Sequence, residues 1–295
     1  MSKMPIAVSG ADAASTVSTI SGATRVYFII GDPIAQVKSP EGVTRAMRSL
    51  GHDAIVVPIH VSSDDLPAFF ASAARMKNVD GIIVTVPHKF SAVGPCTTLS
   101  AEAEFLGAAN MLRRTADGNW HGGMCDGAGF VAALVDGDYA PHGKRALLVG
   151  AGGAGSAIGH ALMNAGISSL DIRDSDEART TSLTGRLNAL QRGEARRVLP
   201  NVEAHTYDIV VNASPLGMRA DDPLPIDVSR LPATTLVGDV VTKPPLTPLI
   251  EAARARGCLT VTGLQMFDRV CDRMVEFLLD SAVSQISRTQ WVSPT

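Results

Sequence analysis

Short apolar runs of strand length alternate with stretches of helical spacing along the first half of this chain. Strands are predicted at residues 25–30, 54–59, 81–86, 109–112 and 119–122. Helices are predicted over 64–77, over 101–106, and after Ser39-Pro40, with the serine as N-cap and the proline as first helical residue. Asp117-Gly118 lies between the last two strands and predicts a β-hairpin there.

The second half continues the same alternation. Strands are predicted at 146–149, up to 174, and at 209–212, 236–241 and 259–261. Helices are predicted over 126–135, after the glycine-rich run at 150–155, and over 248–256 and 266–279. Strands that alternate with helices indicate an α/β protein with parallel sheets in both halves, and 295 residues suffice for two domains.

The run Gly150-Ala-Gly-Gly-Ala-Gly155 is the strongest chemical signal in the pattern. It follows a predicted strand and opens a predicted helix, as the dinucleotide-binding fingerprint requires. Gly150 would allow a tight turn, Gly152 would let the backbone approach a pyrophosphate, and Gly155 would let helix and strand pack closely. A glycine-rich turn in an unrelated α/β domain is the alternative.

An acid at the end of the next strand bears on the choice of nucleotide. Asp174 is placed to accept hydrogen bonds from the adenosine ribose and to repel a 2′-phosphate, which favours NAD over NADP. Arg173 and Arg179 keep NADP open as the alternative, because a guanidinium pairs well with a phosphate.

Composition narrows the class of protein. The net charge is −3 and no basic tract is present, so nothing indicates nucleic acid, and no apolar run approaches the length of a membrane span. The four cysteines lack metal-ligand spacing and are interpreted as free thiols of a reducing cytoplasm, so no metal site is predicted. Residues 1–24 are interpreted as a flexible extension.

Function in open α/β sheets gathers in loops at the carboxyl ends of strands. The chemically capable residues predicted there are Lys38, Ser39, Thr85, Lys89, Asn110 and Asp126. This set suits a small, polyhydroxylated, anionic substrate. Each member also has an ordinary structural explanation: a solvated lysine, a helix cap or a turn cap.

At these spacings the sequence resembles the shikimate dehydrogenase family. The resemblance is carried by Gly31-Asp-Pro-Ile-Ala-Gln-Val-Lys-Ser-Pro40, Val84-Thr-Val-Pro-His-Lys89, Gly107-Ala-Ala-Asn110, Asp126-Gly-Ala-Gly129, Gly150-Ala-Gly-Gly-Ala154, Asn212-Ala-Ser-Pro-Leu-Gly-Met218, Thr247-Pro-Leu249 and Gly263-Leu-Gln-Met266. It covers residues 25 to about 285.

The resemblance implies an N-terminal α/β substrate domain over 1–125, a Rossmann-type dinucleotide-binding domain over 126–262, a cleft between them, and a C-terminal helix over 263–295 that returns to the first domain. It implies a reversible NAD(P)-dependent oxidation of a ring hydroxyl of shikimate, quinate or a related hydroxy acid, in a monomer or homodimer.

Lys89 and Asp126 would be the catalytic pair, their acid and base roles left open, while Ser39, Thr85, Asn110 and Lys38 would bind substrate. The implied cofactor site comprises Gly150, Gly152, Gly153, Ala154, Gly155, Arg173, Asp174, Asn212, Ala213, Ser214 and Met218.

Several substrate-side positions depart from the family. Val37 stands where a carboxylate-binding serine is common, and further departures are Ile83, Met124-Cys125, Thr242 and Val270. Each lost hydrogen bond to a charged group costs about 1.5–3 kcal/mol. The sequence therefore predicts a divergent member that keeps its catalytic pair, with a catalytically weak ligand-binding or regulatory paralogue as the alternative.

Overall fold

The computed structural model describes residues 20–199 and 203–280. It confirms the α/β class, with two six-stranded sheets that follow each other along the chain. Residues 1–19 of the predicted extension lie outside the described residues. Thr24 is buried, and its hydroxyl donates a hydrogen bond of 3.0 Å to Asp53, so the extension does not reach this residue.

The first sheet has the strand order β2-β1-β3-β5-β6-β4. Its strands are β1 Arg25–Gly31, β2 Ala54–His60, β3 Val79–Val84, β4 Thr98–Leu99, β5 Met111–Arg114 and β6 Trp120–Gly123. The prediction of a parallel sheet in this half is correct for β1, β2 and β3 but wrong for β5, which pairs antiparallel with both β3 and β6. The predicted hairpin turns at Gly118, whose φ of 85° suits glycine.

The second sheet has the order β12-β11-β10-β7-β8-β9 and is parallel throughout. Its strands are β7 Arg145–Val149, β8 Ser169–Arg173, β9 Glu194–Arg197, β10 Ile209–Asn212, β11 Leu236–Asp239 and β12 Leu259–Val261. This is the order of a Rossmann fold, in which the chain reverses direction across the sheet between β7 and β10. Ligands of such sheets bind at that point, beyond the carboxyl ends of the strands.

Eight α-helices cover these sheets in the described part of the chain. They are α1 Ser39–Ser49, α2 Leu66–Arg75, α3 Ala101–Leu106, α4 Asp126–Asp136, α5 Gly153–Asn164, α6 Glu177–Asn188, α7 Pro248–Ala255 and α8 Gly263–Leu278. Helix α1 begins one residue earlier than predicted, with Lys38 as its N-cap, and Ser39 makes no capping hydrogen bond. Helix α8 begins before its predicted start because Thr262 and Gln265 form a capping box.

Helix α8 lies against the first sheet although it follows the second. Phe277 and Leu278 leave no room for side chains at Gly123 and Gly81 of that sheet, and Asp280 pairs with Arg113 at 2.7 Å. A large buried cluster draws on α1, α4, α5 and α8 together. The boundaries 1–125, 126–262 and 263–295 remain our proposal for the domains.

Candidate active site

The segment from Thr85 to Lys89 follows β3 and is anchored along its length. The Thr85 N–H donates to the carbonyl of Ile30 at 2.9 Å, and the Ala109 N–H donates to the carbonyl of Lys89 at 2.8 Å. The buried ring of His88 lies 2.7 Å from the carbonyl of Val61 through its Nε2. These contacts fix the backbone on both sides of Lys89.

Lys89, Asp126 and Asn110 form a hydrogen-bonded triad. The Lys89 Nζ donates to the Asp126 Oδ2 at 2.5 Å, and the Asn110 Nδ2 donates to the Asp126 Oδ1 at 2.7 Å. Asp126 is 6 % exposed and Asn110 is 1 % exposed. Because little water screens the two charges, the attraction between this ammonium and this buried carboxylate is stronger than between the same groups at the surface.

The position of Asn110 differs from the one its sequence suggested. It precedes β5 rather than following a strand, since β5 begins at Met111. Because β5 runs opposite to β3, its start lies at the edge where β3 ends. The Asn110 Oδ1 also accepts a hydrogen bond of 3.2 Å from the Cys125 N–H, so this amide joins β5 to the start of α4.

Asp126 is the first residue of α4, and glycines allow that helix to approach its neighbours. A Cβ at Gly127 would lie 2.0 Å from the Ala157 carbonyl oxygen of α5, and one at Gly129 would lie 2.4 Å from the Val270 side chain of α8. Close packing therefore fixes the carboxylate. Its place in the first helical turn also stabilises the negative charge.

The predicted substrate-binding residues Lys38, Ser39 and Thr85 lie at the carboxyl ends of β1 and β3. The hydroxyls of Ser39 and Thr85 make no hydrogen bond with any described residue, although Ser39 is 5 % exposed. Lys38 is exposed at the start of α1. Val37 packs against the core beside them. This edge offers two uncommitted hydroxyls and one ammonium group.

The loop of residues 150–155, which we name the glycine loop, has the geometry of a pyrophosphate cradle. Gly150 has a φ of 102°, and a Cβ at Gly155 would lie 1.9 Å from the Gly150 carbonyl oxygen. A Cβ at Gly152 would meet no described atom within 4 Å. The N–H groups of Gly153 and Ala154 lie in the first turn of α5, where helices bind phosphate. These residues fit a dinucleotide.

Asp174 follows β8 and is tied to the glycine loop. Its Oδ2 accepts a hydrogen bond of 2.7 Å from the Ala151 N–H, and its Oδ1 accepts one of 2.9 Å from the Asp176 N–H. Arg173 donates to the carbonyl of Pro225, and burial lowers the pKa of its guanidinium. Arg179 pairs with Asp176 at 3.6 Å. Two carboxylates therefore mark the end of β8.

The predicted cofactor residues after β10 divide into two groups. Asn212 is fully buried, and its Nδ2 donates to the carbonyl of Leu216 at 2.9 Å and to Asp239 at 3.0 Å. Its Oδ1 accepts from Ser214, so its side chain shapes the loop from within. The backbone of Ala213 faces Gly150, and Met218 is 47 % exposed. Among Asn212, Ala213, Ser214 and Met218, only Met218 has an exposed side chain that could contact a bound cofactor.

Asp239 is a buried carboxylate beside the candidate cofactor residue Asn212, and the sequence analysis did not single it out. It is fully buried and accepts hydrogen bonds from Asn212, from the Val241 N–H at 3.0 Å and from the Thr247 hydroxyl at 2.6 Å. Burial raises the pKa of this carboxyl. The available signal was an acid inside the apolar run 236–241, where a charge requires internal donors. Asp239 thereby joins the loops that follow β10 and β11.

Two findings bear on other ligands. Within residues 20–199 and 203–280, no group of three or more His, Cys, Asp or Glu side chains could hold a metal ion. No helix in the same ranges is both long and apolar enough to cross a membrane.

Comparison with known proteins identifies the family. The shikimate dehydrogenase substrate-binding domain matches residues 29–112. Shikimate dehydrogenase (NADP(+)) of Rubrobacter xylanophilus is 36 % identical over 253 residues, which span 84 % of this chain and 88 % of that protein. The chain belongs to the shikimate dehydrogenase family.

Two solved structures have a similar fold. Shikimate 5-dehydrogenase from Listeria monocytogenes, in complex with shikimate and NAD, has a TM-score of 0.80 at 28 % identity, over 89 % of this chain and 94 % of that one. Ligand-free 5-ketofructose reductase of Gluconobacter sp. strain CHM43 has a TM-score of 0.78 at 27 % identity, over 88 % and 94 %.

Proposed function

We propose that this protein is an NAD(P)-dependent dehydrogenase that reversibly oxidises a ring hydroxyl of shikimate, quinate or a related hydroxy acid to the ketone. The observation that supports this most is the contact of 2.5 Å between the Lys89 Nζ and the Asp126 Oδ2. A proton donor and a proton acceptor meet there beside the N-terminus of the helix that the glycine loop opens. That arrangement suits coupled loss of a proton and a hydride.

In oxidation, the substrate carbon loses a hydride and its hydroxyl loses a proton. The bound nicotinamide would accept the hydride, which is the chemistry that the cofactor supplies. Lys89 and Asp126 would hold the hydroxyl and take its proton, and the same pair would return a proton to the carbonyl oxygen during reduction. Asn110 would keep the carboxylate oriented through its hydrogen bond of 2.7 Å.

The remaining polar residues of this edge would orient the substrate. The hydroxyls of Ser39 and Thr85, which bond to no described residue, would bind ring hydroxyls or the carboxylate. Lys38 would add a positive charge at the rim. Because these groups bind substrate and transition state alike, they would affect KM more than kcat.

We further propose that NAD is preferred over NADP. Asp174 and Asp176 together would repel a 2′-phosphate, whereas ribose hydroxyls could donate to the remaining lone pairs of Asp174. Arg173 and Arg179, the cations nearest in sequence, bind the Pro225 carbonyl and Asp176 respectively. The Rubrobacter xylanophilus relative is named for NADP(+), so the cofactor is a point on which this chain would differ.

A neutral hydroxy ketone or sugar is the second candidate substrate. It is favoured by Val37, an apolar residue two positions before Ser39 whose side chain has no donor for a carboxylate. The Gluconobacter relative, named a 5-ketofructose reductase, shows that the fold occurs in a protein named for a keto sugar.

A spectrophotometric screen tests both proposals. Shikimate, quinate, other hydroxy acids and neutral polyols would be offered with NAD and with NADP, and reduced nicotinamide would be followed. We expect turnover with a cyclitol acid, faster with NAD. Turnover with neutral polyols alone would favour the second candidate. Tight ligand binding with no turnover on any compound would favour the non-catalytic paralogue.

A further inference from the structure

Gly153 is a glycine that the dinucleotide fingerprint leaves unexplained. The fingerprint needs glycine at positions 150, 152 and 155, and it accepts any residue at position 153. Gly153 is the first residue of α5, where alanine would favour the helix more than glycine does. Its φ is not in the left-handed region, so the backbone does not require glycine there.

The neighbour of Gly153 belongs to the other half of the molecule. A Cβ built at Gly153 would lie 3.1 Å from the Lys89 Cδ, 3.5 Å from its Cβ and 3.8 Å from its Cγ. The aliphatic stem of Lys89 therefore lies directly on the bare backbone of the glycine loop. The same side chain places its Nζ 2.5 Å from Asp126 and is 12 % exposed.

We propose that Gly153 is a positioning residue for Lys89: its missing side chain leaves the space in which the lysine stem lies, so that the ammonium reaches Asp126. Gly152 and Gly153 then have separate roles, because Gly152 faces open space and Gly153 faces the lysine. The inference rests on the proposed function, in which Lys89 and Asp126 handle the substrate proton.

A methyl group at position 153 would displace the lysine stem by a few tenths of an ångström. The backbone N–H of residue 153 would remain available to a pyrophosphate, so cofactor binding would change little. Reaction rates are sensitive to the positions of the reacting groups, since a misplacement of about 1 Å can lower the rate about 10²-fold. We therefore expect a roughly tenfold loss of kcat in Gly153→Ala.

The test compares Gly153→Ala with Gly152→Ala and Gly185→Ala, the last an open helical position in α6. Three quantities would be measured: kcat, the Kd of NAD, and the rate at which an amine-directed acylating reagent modifies Lys89, followed by peptide mass spectrometry. Gly153→Ser, which carries the same Cβ, repeats the test if the alanine variant does not fold.

For Gly153→Ala we expect the roughly tenfold loss of kcat. The Kd of NAD should stay within about twofold of wild type, and acylation should be faster because the displaced lysine makes a longer, weaker ion pair with Asp126. Gly152→Ala should weaken NAD binding and leave the rate of Lys89 acylation unchanged. Gly185→Ala should change neither NAD binding nor acylation. Unchanged acylation in a folded Gly153→Ala variant would overturn the inference, as would a weaker Kd of NAD together with an unchanged kcat at saturating NAD. Acylation and NAD binding still decide the matter if wild type proves inactive on every hydroxy acid, a result that would overturn the proposed function alone.

Discussion

Asp126 and Ser39 are both buried polar residues of the candidate active site, but the protein uses their hydrogen-bonding capacity differently. The Asp126 carboxylate is bound at both oxygens, by Lys89 and by Asn110. The Ser39 hydroxyl, like that of Thr85, is bound by no described residue. The proposed proton-transfer centre of Lys89, Asp126 and Asn110 is therefore hydrogen-bonded within the protein. The proposed recognition edge of Lys38, Ser39 and Thr85 keeps its two hydroxyls available to a ligand.

This difference in hydrogen bonding predicts that substitutions at the two groups of residues affect different kinetic constants. Residues of the proton-transfer centre act on the reacting atoms, so their loss should lower kcat. Residues of the recognition edge contact the substrate in ground and transition states alike, so their change should alter KM.

The largest effect is expected for Lys89→Ala. Removal of a positioned acid or base should reduce kcat by about 10²–10⁴-fold. The Kd of NAD should stay within about twofold of wild type, because the proposed cofactor residues Gly152 and Asp174 lie in the other half of the molecule. The matched control is Lys77→Ala, an exposed lysine after α2. Near-normal turnover of Lys89→Ala would remove the lysine from the mechanism.

A smaller loss is expected for Asn110→Ala. The change leaves the Asp126 Oδ1 without its donor and the buried Cys125 N–H without its acceptor. Each unsatisfied group costs about 1–3 kcal/mol, and about 1.36 kcal/mol corresponds to a tenfold change in rate. Steady-state kinetics should show kcat reduced by about 10–100-fold with NAD binding unchanged. A rise in KM at normal kcat would instead make Asn110 a substrate ligand.

The proposed binding site for the adenosine ribose lies on the second sheet, where Asp174 follows β8. Asp174→Ala should narrow the preference for NAD, because it removes a ribose acceptor and the charge that repels a 2′-phosphate. The ratio of kcat/KM for NAD to that for NADP should fall several-fold, by roughly the worth of one hydrogen bond. A wild-type enzyme that prefers NADP would contradict the prediction and point to Arg173 or Arg179.

The smallest effect is expected at the recognition edge. Val37→Ser would place a donor beside Ser39 and should lower the KM for shikimate several-fold, about 1 kcal/mol, with kcat nearly constant. The KM for a neutral polyol serves as the control and should not improve. An unchanged or higher KM for shikimate would mean that Val37 faces away from the substrate or contacts an apolar part of the true one.

Local sequence predicted the parts of the molecule that depend on local geometry. The roles of Gly150, Gly152 and Gly155 followed from one loop between a strand and a helix, and their φ angle and clearances agree. The parallel pairing of the second sheet agrees with the predicted alternation of strands and helices, because parallel strands need crossover connections. Helices α3 and α4 begin at the predicted residues, 101 and 126.

Features made by distant segments could not be predicted in the same way. The antiparallel place of β5, which brings Asn110 to Asp126, depends on a pairing with β3 that no local pattern encodes. The link from Arg186 of α6 to the carbonyl of Leu106, at 2.9 Å, joins residues 80 positions apart. The contact of Lys89 with Gly153 is of the same kind. The resemblance indicated which residues are the candidate catalytic pair, and the structure shows their hydrogen bonds.

The central claim is that Lys89 and Asp126 act as one unit, and a double-mutant cycle tests it most directly. Lys89→Met, Asp126→Asn and the double variant would be compared by kcat on the best substrate of the screen, with NAD binding as the control for folding. Residues that act as a unit are strongly non-additive, so we predict that the double variant is no slower than the slower single variant, within about threefold. Losses that multiply in the double variant would show independent roles and contradict the account.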